Sequence, residues 1–165
     1  MPFRSVNRRD RPGFLENMQR HHSLPRQLLR GDCFGSLFYT LGRHDLCFDD
    51  FRANGLLLPA RTSAALATGL PMHRGPHRLY NELVAQRVGQ VEASWKRTHL
   101  RHPHMAREEA LMRLRILQNA LRQRLMQREG RSLVLNRKDP FRPGVDFAEL
   151  DAMAEMLWSA SEPVA

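Results

Sequence analysis

Apolar positions recur at helical spacing over two long stretches of the chain. Leu79, Leu83, Val84, Val88, Val91 and Trp95 form one stripe, with Arg78, Gln86, Arg87, Gln90 and Lys96 elsewhere on the surface, which predicts an amphipathic helix beginning at Pro76. Leu111, Leu114, Leu117, Leu121 and Leu125 predict a second over residues 105–128, ended by Gly130 and carrying Arg113, Arg115, Arg122, Arg124 and Arg128 on its other face. A last helix is predicted over 146–159, acidic outside and apolar at Phe147, Leu150, Met153, Met156 and Leu157. Upstream, residues 26–30 suit a helical turn. Phe34, Leu37, Phe38 and Leu41 mark one face of a short helix, and the alanine-rich run 60–69 gives one or two turns closed by Gly69. Strand signals are sparse: Leu56-Leu57-Leu58, closed by Pro59, reads as a buried strand, and 132–135 as a short one. Residues 1–13, rich in Arg, Asn, Asp and Pro, read as a flexible basic arm. The pattern is mostly helical α+β.

Composition narrows this further. A chain of 165 residues suits one domain with a real core, and 42% hydrophobic with 26% charged residues is the balance of a soluble globular protein. No apolar run reaches membrane-spanning length and the first residues lack the apolar core of a secretory signal, so a membrane is not an expected partner and the cytoplasm is the expected location. The net charge of +9 and pI near 11.0 point to a polyanion, nucleic acid being the commonest. Nearly all of that charge is arginine, whose planar fork suits phosphate, since Lys96 and Lys138 are the only lysines. Cys33 and Cys47, in no CxxC arrangement, are expected to be buried free thiols.

Histidine carries the candidate chemistry. Gly75 can turn the backbone and Pro76 is pre-set for a first helical position, so His77 is expected in a helix's first turn with His73 on the incoming loop. In Arg20-His21-His22-Ser23-Leu24-Pro25 two adjacent imidazoles on extended backbone point to opposite sides, so one can face an ion held by the helix while the other faces elsewhere. That arrangement suits metal-assisted hydrolysis, with imidazole ligands fixing an ion and a spare imidazole directing water. Asn81 shares a helical face with His77 and Tyr80 lies beside it.

His21-His22-Ser23-Leu24-Pro25, Asn54-Gly55-Leu56-Leu57-Leu58-Pro59 and His73-Arg74-Gly75-Pro76-His77 with Tyr80-Asn81, in that order, resemble the AHH nucleases, a branch of the HNH and endonuclease VII superfamily. The resemblance covers roughly residues 18 to 96, and the alanine of the family's name is Arg20 here. It implies a ββα-metal core over 14–98, with residues 25–51 inserted between the strands and a helical extension over 99–165 added to the same domain. It implies His21 as a metal ligand, His22 as general base and His77 as the helix ligand. Asn54 is expected as an amide-oxygen ligand or as a hydrogen bond that holds the loop. His73 would complete the coordination, bind phosphate or support the turn, and Asn81 would be a ligand or a support of the first turn. Arg74 and Arg78 flank His77 and suit the scissile phosphate, against plain solvated surface; Arg20 and Tyr80 join them as candidate substrate contacts.

The function implied is a metal-dependent endonuclease using one divalent ion (Mg²⁺, Zn²⁺, Ni²⁺ or Mn²⁺), with DNA ahead of RNA as substrate. A bacterial toxin or mobile-element setting, with delivery into a target cell and an immunity protein as partner, is a further implication of the family. The alternative is a non-catalytic nucleic-acid-binding protein that keeps a structural ion. A third reading, dimerisation through the Leu111 to Leu125 stripe, requires part of that stripe to be exposed.

Overall fold

The computed structural model describes residues 1–127, 133–136 and 138–141. In chain order it contains a 3₁₀ turn at Phe3–Ser5, strand β1 (Met18–His22), a 3₁₀ turn at Arg26–Leu29, and helices α1 (Gly35–Leu41) and α2 (Phe51–Asn54). Strand β2 (Gly55–Pro59) and helices α3 (Thr62–Thr68), α4 (Arg78–Thr98) and α5 (Pro103–Met126) follow. The strands pair antiparallel, His21 opposite Leu56 and His22 opposite Gly55. This is a mostly helical α+β fold whose hairpin and α4 together match a ββα core.

α4 and α5 pack against each other through their apolar faces, with Pro103 in α5's first turn, where its missing N–H costs nothing. Leu111, Leu114, Leu117, Leu121 and Leu125 are all buried within the one chain. Each contributes about 1.5–3 kcal/mol by leaving water, so α5 is a wall of the core and its leucine stripe is no exposed dimer seam. On α4 the buried stripe runs through Tyr80, Leu83, Val84, Arg87, Val88, Val91 and Trp95. Leu79 is exposed instead, and Arg87, expected on the surface, is buried beside Gln90, whose Oε1 accepts from its Nη1 at 3.2 Å.

The residues between the strands cover the hairpin. α1 and α2 pack on α5, and Phe38, Phe48 and Phe51 are core residues. Asp50 caps α2, its carboxylate accepting from Arg52 N at 2.8 Å. Arginines of α5 tie down this segment and the start of β2: Arg107 donates to Leu41 O at 3.1 Å, Arg115 to Asp45 O at 2.8 Å, and Arg122 to Gly55 O.

Four local expectations are corrected. Residues 1–13 are pinned rather than loose: Pro2 bridges Asp50, Arg20 Nη1 donates to Phe3 O at 2.8 Å, and Asn7 bonds the backbone of Leu15 and Met18. Cys33 and Cys47 are exposed free thiols. Residues 133–135 are buried but form no strand. Pro76 precedes α4, whose N-cap is His77. The helix expected at 146–159 and the Gly130 stop lie outside the described residues. Among those described, no helix is long and apolar enough to cross a membrane.

Candidate metal centre

Three separate parts of the ββα unit each bring one imidazole to a common point. On β1 the alternation of side chains turns His21 inward, 2% exposed, and leaves Arg20 and His22 on the opposite face. His73 lies on the loop between α3 and α4, where its N–H donates to Pro59 O at the end of β2 at 2.7 Å. Gly75 then turns the chain at φ 77°, in the left-handed region that a residue with a Cβ seldom adopts, and His77 caps α4. The ring centroids of His21 and His73 are 4.8 Å apart, those of His21 and His77 5.1 Å, and those of His73 and His77 4.7 Å. One ligand atom from each residue lies within 4.8 Å of the others.

The electrostatics suit a cation. His21 Nε2, His73 Nδ1 and His77 Nδ1 are buried and have no hydrogen-bond partner among the described residues, which is costly unless something else takes their lone pairs or protons. Burial pushes all three imidazoles below their ordinary range, His73 to about 4, and mutual repulsion adds to this at His21 and His73. They are therefore neutral at neutral pH, the form that binds metal. Neutral imidazoles suit zinc, nickel, copper or iron, and three protein ligands leave room for water or substrate on the ion. The residues present thus fit a divalent ion.

A model of the AHH nucleases, described as a nuclease family of the HNH/ENDO VII superfamily with conserved AHH, matches residues 3–121. The chain belongs to the AHH nuclease family. As an AHH nuclease it is a phosphodiester hydrolase of a superfamily that works with a divalent metal, and the histidine cluster is its candidate metal site. No curated protein and no solved structure matches the chain.

The other candidate residues of this AHH nuclease fall into distinct places. His22 is half-buried, stacked on Phe3 and tilted toward Phe48, and burial, with Arg26 and Arg20 close by, pushes it down to about 4 although Asp49 pulls the other way. Asn54 is fully buried. Its Oδ1 accepts from Leu24 N at 2.7 Å and its Nδ2 donates to Phe48 O at 2.9 Å and Leu24 O at 3.2 Å. Of the two roles expected for Asn54, the hydrogen bonds that hold the loop are the ones formed, and the ligand role is withdrawn. Tyr80 is also corrected: it is 1% exposed, donates to Ser23 O at 2.6 Å and packs on His21, so it supports the cluster and is closed to substrate.

Asn81 Nδ2 donates to Gln27 Oε1 at 3.2 Å, while its Oδ1, one helical turn after His77, is buried without a partner among the described residues. Arg20, Arg74 and Arg78 are exposed. His99 stacks on Trp95, and His44, His102 and His104 are exposed and away from the cluster. Phe3, the stacking partner of His22, carried no signal in sequence, since it sits in an arginine-rich stretch with no periodicity.

Proposed function

We propose that this AHH nuclease is an endonuclease that hydrolyses the DNA backbone with one divalent ion held by His21, His73 and His77. The reading is carried by three buried imidazole nitrogens, without partners among the described residues, converging from β1, the α3–α4 loop and the start of α4. The ion supplies neutralisation of the charge that grows on the phosphate and on the departing oxygen. His22, unprotonated at neutral pH, takes the proton of the attacking water at a ring nitrogen. Arg74 and Arg78, exposed on either side of His77, hold the phosphates, and Arg20 adds positive charge on the face of β1 that carries His22. Asn81, with its unpartnered amide oxygen, is the auxiliary oxygen donor. The excess of arginine brings the polyanion to this face. The toxin setting with an immunity partner is proposed from the family resemblance alone.

Cleavage of plasmid DNA and structured RNA by the chelated protein, with Mg²⁺, Mn²⁺, Ni²⁺ or Zn²⁺ restored singly, tests this. DNA nicking is expected with at least one ion, lost in His22→Ala and in His73→Ala, with DNA binding kept by His22→Ala. Binding without turnover under every ion would leave a nucleic-acid-binding protein with a structural metal.

A further inference from the structure

His73 stands on the one part of the cluster with no regular structure around it. His21 is fixed by strand pairing and His77 by the helix it caps, but the loop 70–76 has neither. Two residues from much later in the chain hold it. Met72 N, directly before His73, donates to Asp139 Oδ2 at 2.6 Å, and Arg74 O, directly after His73, accepts from Asn136 Nδ2. With His73 N on Pro59 O, three successive residues of the loop are bonded, two of them to the turn 136–139.

The side chains of Asn136 and Asp139 are themselves held still. Asp139 is 5% exposed, and its second oxygen, Oδ1, accepts from Phe141 N at 2.9 Å. Asn136 Oδ1 accepts from Lys138 N at 2.8 Å, and Asn136 O from Asp139 N at 3.1 Å. Leu133, Val134 and Leu135 just before it are buried in the core, as is Met72 on the loop side. A carboxylate accepting a backbone N–H is among the stronger hydrogen bonds, and here it fixes the peptide next to a ligand. The turn lies beyond the residues matched by the family model, which end at 121.

We propose that Asp139, aided by Asn136, is a positioning residue that sets His73 for metal binding, through the backbone on either side of it. The proposal rests on the reading of His21, His73 and His77 as metal ligands. Partners that orient a metal ligand are worth roughly ten- to a hundred-fold in affinity, and the same range is expected for this pair.

The test measures Co²⁺ affinity, and the visible absorption of bound Co²⁺, for the full-length wild type, Asp139→Ala, His73→Ala and the double variant. Asp139→Ala is expected to bind Co²⁺ roughly ten- to a hundred-fold more weakly with an altered spectrum, and Asp139→Asn, which keeps one acceptor, to fall between. In the His73→Ala background, Asp139→Ala is expected to have no further effect, because its influence passes through His73. Wild-type affinity in Asp139→Ala, or a loss that adds to that of His73→Ala, would overturn the positioning role while leaving the metal site standing. Failure of wild type to bind Co²⁺, or indifference to His73→Ala, would remove the metal reading and this proposal with it. If Asp139→Ala does not fold, Asn136→Ala breaks the other tie and is judged by the same criteria.

Discussion

The imidazole of His22 lies flat on the phenyl ring of Phe3, with centroids 3.6 Å apart and planes 4° from parallel. Phe3 is itself held edge-on to Phe51 and by the hydrogen bond from Arg20 to its carbonyl. The stack takes water from one face of His22, and loss of water disfavours the charged ring. In Phe3→Ala, His22 is therefore expected to titrate higher than its present value of about 4, moving toward the ordinary 6.5. Imidazole proton shifts followed against pH would show this. An unmoved titration would mean that the covering of His22 comes from elsewhere.

The metal cluster makes stability depend on pH with a definite sign. Unfolded histidine takes up a proton near pH 6.5, whereas burial keeps His73 neutral to about 4 and lowers His21 and His77 as well. Below pH 6.5 the unfolded chain thus binds protons that the native protein refuses, and stability present above that pH is lost as pH falls toward 4. Tm of the metal-free protein is expected to level off above about pH 7 and to drop between about pH 6.5 and 4. The increase in Tm given by Ni²⁺ is expected to persist at about pH 5 and to fade near 4, where folded His73 takes a proton. Disappearance of that increase already at about pH 6.5 would contradict neutral, buried ligands.

Asn54 separates support from ligation. Truncation to alanine leaves Leu24 N, Leu24 O and Phe48 O short of a buried partner. Unmade buried hydrogen bonds cost about 1–3 kcal/mol each, so a loss of about 2–4 kcal/mol is expected in urea unfolding after partial relaxation. Ni²⁺ affinity of the folded variant should stay within about two-fold of wild type if, as proposed, the ligand nitrogens belong to histidines, whose outer partners carry the larger effects. A collapse of Ni²⁺ affinity with stability intact would return Asn54 to the ligand set.

The long helices, the Leu56 to Leu58 strand and the placing of His77 at a helix start were legible because each rests on local rules: apolar spacing, a closing proline, a turning glycine. β1 was expected as extended backbone and as the first strand of the ββα core from the family resemblance, while its own residues carry no strand signal. Its residues are Met18, Gln19, Arg20, His21 and His22, only His21 is buried, and its strand character comes from pairing with β2. The place of His73 was not legible because a loop's partners are set by contacts distant in sequence, here His73 with Pro59, Met72 with Asp139 and Arg74 with Asn136. Leu79 is exposed and Arg87 buried because Tyr80, three residues before Leu83, and Arg87, four after it, complete the stripe at helical spacing, whatever their polarity. The partners of the α5 arginines were not legible because composition cannot tell a free guanidinium from one bonded to a carbonyl such as Leu41 O or Asp45 O.

The pairing of β1 with β2 reaches further than the shape of the hairpin. Side chains on a strand alternate with a period of two, so sliding β1 by one residue would carry His22 inward to His73 and His77 and send His21 out to Phe3. The two side chains are chemically identical, and only registration tells them apart. Gly55, opposite His22, is one of its locks: a Cβ there would run into the Phe51 ring, and Arg122 holds its carbonyl from α5. Ser23 N on Asn54 O at 2.8 Å closes the same end. Which of two neighbouring histidines faces the cluster is thus written in the alignment of two backbones.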